Sequence, residues 1–134
     1  MGSIRSPLGD LTTLALANDL DGTDALSVDL DLTGSAGAVV FTQIGTAGTA
    51  GIDTLKISKD GGATFAAATI RDSDGDAVTT GILNAAGVEG VTPAACVFTI
   101  HPKDGQLNGP TILRCERTTA WVTGAPSVLA VRIG

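Results

Sequence analysis

Leu26, Val28, Leu30 and Leu32 alternate with Ser27, Asp29 and Asp31, and a period of two predicts a half-buried β-strand. The same alternation returns at 52–58 (IDTLKIS), with Leu55 and Ile57 on one face and Thr54, Lys56 and Ser58 on the other. Further runs rich in β-formers occupy 38–44, 64–70, 96–100, 111–117, 119–123 and 127–133. Gly-rich and Asp-rich turn signals separate them: GSAG (34–37), GTAGTAG (45–51), KDGG (59–62) and DSDGD (72–76). Residues 26–44 read as a hairpin closed by GSAG, 11–17 (LTTLALA) favours another strand, 77–83 a short one, and 84–95 reads as irregular. No stretch keeps a helical period. The expected fold is all-β: a single compact antiparallel β-sandwich or barrel, with a jelly-roll-like arrangement among the options. Residues 1–10, with Pro7 and Gly9, are expected to be a flexible N-terminal arm, and 11–134 a single β domain.

Composition sharpens this picture. At 134 residues the chain is long enough for a core without metals or several disulfides. The aromatics are Phe41, Phe65, Phe98 and Trp121 only, so the core must be built from Val, Leu, Ile and Ala in thin, closely spaced sheets. The net charge of −6 repels a phosphate backbone, and no basic cluster offsets it. No nucleic-acid partner and no membrane partner is expected. No apolar run approaches the roughly 20 residues of a membrane span, and MGSIRSPLGD lacks the apolar core of a signal peptide. Asp10, Asp19, Asp21, Asp24, Asp29 and Asp31 make the first part acidic, whereas Lys103, Arg114, Arg117 and Arg132 make the last part mildly basic. Two solvated faces, or an attraction within or between chains, both fit that asymmetry.

The candidate chemistry is sparse. If 96–100 pairs with 111–115 around the loop HPKDGQLNGP, Cys96 faces Cys115. Facing Cβ atoms lie about 4.5–5.5 Å apart, within reach of a cross-strand disulfide. The alternative is two free buried thiols, which a cytosolic redox environment favours. Two Cys and one His are too few soft ligands for zinc. DSDGD and NDLDGTD (18–24) have closely spaced carboxylates, but counting from Asp72 an EF-hand would need Gly and Glu where Ala77 and Leu83 stand. Asp-Gly turns are the simpler reading, beside a weak two-loop calcium site. His101 is the sole histidine and no GxSxG elbow accompanies it. No catalytic residue, cofactor or metal site is therefore assigned, and no enzymatic activity is expected.

SKDGGATF (58–65) is the sharpest local motif. It resembles the Asp-box of sialidase-like propellers through Ser58, Asp60, Gly62, Thr64 and Phe65. In that pattern the carboxylate accepts turn N–H groups, Gly supplies a positive φ, and the aromatic covers the hairpin base. It occurs once here, in a chain with no Tyr to serve as a sialidase nucleophile, so it implies a structural turn and no glycoside cleavage.

A strand pair, a Gly/Ala-rich loop and a strand ending in SKDGGATF, over roughly residues 25–70 and with the apolar C-terminal strand, resemble small all-β structural proteins of tailed-phage virions. The resemblance implies a capsid decoration (cement) protein: non-enzymatic, made in the host cytoplasm, seated on the capsid surface, bound to the major capsid protein and homo-oligomeric, with a closed trimer preferred. Such proteins act through whole surfaces, so no functional residue is carried over. Residues 1–17 and the loops 45–51 and 101–110 are the expected contact edges, and SVLAVRI (127–133) the strand expected to pair across subunits. A tail, head–tail or head-fibre role is the alternative within this class. A carbohydrate-binding β-sandwich centred on Trp121 or the Asp-rich loops is the alternative outside it.

Overall fold

The computed structural model describes residues 11–13, 27–43, 51–85, 95–120 and 127–134. The expected arm at 1–10, NDLDGTD, most of the 45–51 loop and Trp121 lie outside these residues. Two antiparallel sheets enclose one core, giving the expected sandwich. The first runs in the order β1 (Leu11–Thr13), β11 (Ser127–Ile133), β3 (Gly37–Gln43), β9 (Ala95–Ile100), β6 (Ile70–Arg71) and β7 (Ala77–Val78). The second runs β2 (Ser27–Asp31), β10 (Ile112–Thr119), β4 (Ile52–Ser58) and β5 (Ala66–Ala67). The far edge of β4 is shared: β5 lies against Lys56 and Ile57, and β8 (Ile82–Ala85) against Ile52–Thr54.

The alternation seen in sequence sorts the side chains as expected. Leu30, Leu32, Leu55, Ile57, Leu113 and Cys115 point inward from the second sheet, and Ala38, Val40, Phe98, Ile100, Val128 and Ala130 from the first. Small and large residues sit opposite one another, Ala38 facing Ile100 and Ala130 facing Val40. Among the described residues the core holds one buried aromatic, Phe98.

Strand partners differ from the local reading. Among the described strands, consecutive ones pair only at β4–β5 and β6–β7. Residues 26–44 are not a hairpin, because β2 pairs with β10 while β3 pairs with β11 and β9 in the other sheet. The connection is an arch: Ser35 N–H donates to Leu32 O, Leu32 N–H is held by Thr111 O, and Ala36 N–H reaches Ile133 O, so each side of the arch joins a different sheet. The 64–70 run likewise splits into β5 and β6 on opposite sheets, with the change at the buried Ala68. The 77–83 run splits into β7 and β8, with Gly81 (φ 68°) at the change. SVLAVRI is an interior strand, with β3 along its length and β1 against Val131–Ile133, so it does not offer a free edge for cross-subunit pairing there.

The ladders place the connections. Asp31, Ser58 and Ile112 lie together at one end of the sandwich, along with Gly37, Ile100 and Ile133 of the other sheet. The opposite end carries Gln43, Ala95 and Ser127 of the first sheet and Ile52, Ala85 and Thr119 of the second.

Candidate functional site

The first end is extensively built. In the β4–β5 turn the Ser58 hydroxyl donates to Asp60 Oδ1 at 2.7 Å and accepts the Gly62 N–H at 2.8 Å. Asp60 Oδ1 also accepts the Thr64 N–H at 2.9 Å, and Oδ2 accepts the Thr64 hydroxyl. Gly61 and Gly62 both have positive φ. This is the turn that the motif implied, and its contacts all fall within seven residues. The Thr64 hydroxyl and N–H, with the Ser58 hydroxyl, hold the Asp60 carboxyl down at about 2. A depressed carboxyl stabilises the fold above its unfolded value and loses that contribution as pH falls through its folded value. The stability difference between the wild type and Asp60→Asn is therefore expected to be constant above about pH 5 and to shrink between about pH 4 and pH 2. Urea titrations across that range check it, and an unchanging difference down to pH 2 would refute it.

Phe65 does not cap the hairpin base alone. It lies under the Arg114 guanidinium at 3.8 Å to the ring centroid, and Arg114 makes a two-point pair with Asp29 at 2.7 and 3.0 Å. Lys56 and Glu116 pair at 3.2 Å on the same outer face. The acidic β2 and the basic end of the chain thus meet within one chain, as a cross-strand charge network.

Beside this turn, the loop HPKDGQLNGP is tied down from three directions. His101 Nδ1 accepts the Lys103 N–H, capping the 3-10 turn Pro102–Asp104 that ends at Gly105 in a left-handed conformation. The Asp104 carboxylate pairs two-point with Arg71 at 2.6 and 3.1 Å, which lowers the Asp104 carboxyl below its usual range. The Gln106 side-chain amide accepts the Thr69 N–H and donates to the Thr69 carbonyl, both at 2.7 Å, like a one-residue strand pairing. Lys59 Nζ donates to the carbonyls of Gln106 and Asn108 and to the Thr111 hydroxyl. The buried Thr111 hydroxyl in turn lies within hydrogen-bond reach of the Gln106 and Gly109 carbonyls. At the edge of this end, Arg132 crosses from β11 to donate to the carbonyls of Asp31 and Thr33, closing part of the free edge of β2.

The remaining candidates separate. Cys96 and Cys115 are both free thiols on strands of different sheets, because β9 pairs with β3 and β6 while β10 pairs with β2 and β4. The register that would bring them face to face as neighbouring strands is not formed. Burial pushes the Cys115 thiol up to about 12 and raises that of Cys96, so both stay protonated and unreactive at neutral pH. DSDGD forms the β6–β7 turn: Asp72 Oδ1 accepts the N–H groups of Asp74 and Asp76 at 3.0 and 2.9 Å. The carboxylates of Asp72, Asp74 and Asp76 come within 4.8 Å of one another. Of the expected contact loops, 101–110 lies within the described residues, whereas 45–50 lies outside them.

Two features escaped the sequence reading. Asp53 and Arg117 are fully buried and face one another in the β4–β10 ladder, joined at 2.8 and 3.2 Å. Their signal was phase: Asp53 precedes Leu55 and Ile57, and Arg117 follows Leu113 and Cys115, each by steps of two. The second feature is the outer face of the first sheet. Its described positions on β3, β9 and β11 are Val39, Phe41, Val97, Thr99, Leu129, Val131 and Ile133, with Phe41 45% and Val97 41% exposed.

Comparison with protein-family models, curated proteins and solved structures finds no match to this chain.

Proposed function

We propose that this chain is a non-enzymatic structural protein of a tailed-phage virion: a capsid decoration protein, made in the host cytoplasm, that binds the major capsid protein on the outer head surface as a homo-oligomer and stabilises contacts between capsomers. The observation that carries the reading is the tethered loop 101–110. Lys59, Gln106 and the Arg71–Asp104 pair hold it in one conformation at an end of the sandwich. A surface loop already ordered loses little entropy on docking, which suits a protein that must bind many identical sites. The all-β scaffold and the resemblance to small virion proteins support the same reading.

The test is mass spectrometry of density-gradient-purified, DNA-filled particles from the source lysate, with copy number measured against the major capsid protein. A ratio approaching one per capsid subunit is expected. A handful of copies would replace decoration by a tail, head–tail or fibre role. Absence from particles would overturn the virion reading, and glycan binding would then be tested.

A further inference from the structure

The loop 101–110 contains Asn108 followed by Gly109, a pair whose side chain and main chain are spaced to react with one another. Both residues are exposed, and Gly109 has φ 74° with nothing within 4 Å of the place a Cβ would take. Its N–H meets no acceptor among the described residues. The described glycines that follow an aspartate are placed differently. Gly75 N–H donates to Asp72 O and Gly105 N–H to Pro102 O, while the carboxyl of Asp60, ahead of Gly61, is occupied by Ser58 and Thr64. Asn84 lies in the β4–β8 ladder and is followed by Ala85. The 108–109 peptide is also distinguished by its carbonyl. Asn108 O accepts from the Lys59 ammonium, which holds Gln106 O and the Thr111 hydroxyl as well.

We propose that Asn108 is a site of spontaneous deamidation and that Lys59 promotes the reaction. Hydroxide takes the Gly109 amide proton, and the freed electron pair forms a bond from that nitrogen to Asn108 Cγ. The Cγ–Nδ2 bond breaks, and the departing nitrogen takes a proton from water and leaves as ammonia. A succinimide ring now joins the two residues. Water opens it at either carbonyl: cleavage at Cγ leaves an aspartate, and cleavage at the Asn108 main-chain carbonyl carbon leaves an isoaspartate, whose main chain runs through Cβ and Cγ. The sum consumes water, releases ammonia and turns a neutral amide into a carboxyl group, with nothing oxidised or reduced. Gly109 favours ring closure because no side chain crowds its nitrogen. Lys59 contributes charge. When the Gly109 nitrogen loses its proton, the negative charge spreads through the peptide onto Asn108 O, the atom that the ammonium already holds. Solvent around an exposed loop screens this attraction, so its effect is about tenfold in rate, below the roughly 10²–10³ of a buried oxyanion donor. The loop thereby acquires a second covalent form with time. That form adds a negative charge beside Lys59, and its isoaspartyl version lengthens the main chain between the Gln106 and Thr111 tethers. None of this depends on the virion reading.

The test is peptide mapping by mass spectrometry of the purified full chain, held at mildly alkaline pH in water enriched in oxygen-18, with isoaspartate read by enzymatic methylation. Asn108 is expected to become a carboxyl carrying the heavy oxygen while Asn84 stays an amide, in samples whose urea midpoint shows the chain still folded. Asn108→Gln, which would have to close a larger ring, is expected to abolish the change at that position. Lys59→Met is expected to slow it about tenfold. Lys59→Arg, which keeps a cation beside the same carbonyls, is expected to retain most of the wild-type rate. A purely structural Lys59 predicts the opposite sign, because a loosened loop closes the ring more readily. A wild-type chain that keeps its Asn108 amide while a synthetic peptide of residues 105–111 converts would overturn the site. A Lys59→Met rate equal to or above that of the wild type would overturn the role of Lys59.

Discussion

Removing either member of the buried ion pair, as Asp53→Ala or Arg117→Ala, is expected to cost about 3–5 kcal/mol of stability. Against the roughly 5–15 kcal/mol that holds a domain of this kind together, the loss leaves the chain marginally folded or unfolded at 25 °C. The reason is asymmetry. Both side chains are fully inaccessible, so deleting one removes a two-point partner from a desolvated charge, a loss that the remaining packing does not offset. The pair itself contributes little net, because its attraction is spent against the desolvation of both groups. Replacing both together, as Asp53→Leu with Arg117→Met, is therefore expected to cost less than the two single losses added together. Urea unfolding of the two singles and the double measures this directly. Losses that simply add would show that the two groups act independently, contrary to their two-point geometry.

Gly81→Ala is expected to destabilise by about 2–5 kcal/mol, from two separable sources. Gly81 has φ 68°, a conformation that disfavours any Cβ. A Cβ there would also overlap the Leu55 carbonyl oxygen and lie 3.2 Å from the Ala68 backbone N and O. These are backbone atoms of the packed interior, and Leu55 N–H already donates to Gly81 O at 2.7 Å, so the contact has no flexible side chain to absorb it. Gly34→Ala isolates the conformational part. Gly34 has φ 75° with nothing within 4 Å of a built Cβ, and is expected to lose only about 1–2 kcal/mol. Equal midpoint shifts for the two variants would refute the steric account.

What the sequence disclosed, and what it withheld, follows the range of each interaction. The Ser58, Asp60, Gly62, Thr64 and Phe65 turn was legible because its hydrogen bonds are local in the chain. The inward and outward faces of β4 and β10 were legible because pleating fixes side-chain direction at every second residue. Pleating says nothing about which strand lies alongside. The arch at 32–36 has the Gly-rich turn composition of a hairpin, and the choice between them is made by Thr111, more than 70 residues away, which holds Thr33 and Leu32. The tethers of loop 101–110 span 33 to 52 residues, so Lys59 and Gln106 look like ordinary polar surface positions until the sandwich closes. Asp53 and Arg117 were different: their phase with the apolar positions was visible, and the habit of assigning charges to the solvent side concealed it.

The strand order also governs how the molecule comes into being. In the second sheet β10 lies between β2 and β4, and in the first β11 lies between β1 and β3. Both of these central strands come from the last quarter of the sequence. On a ribosome the earlier segments therefore emerge with their eventual neighbours still unsynthesised, and among the described strands only the small β4–β5 and β6–β7 units have local partners. Assembly of either layer waits for the end of translation, and a topology so dominated by distant pairings places folding in the slow, millisecond-to-second class. The exposed interval that results, with apolar strand edges free in a crowded cell, is the period when this chain is most open to aggregation.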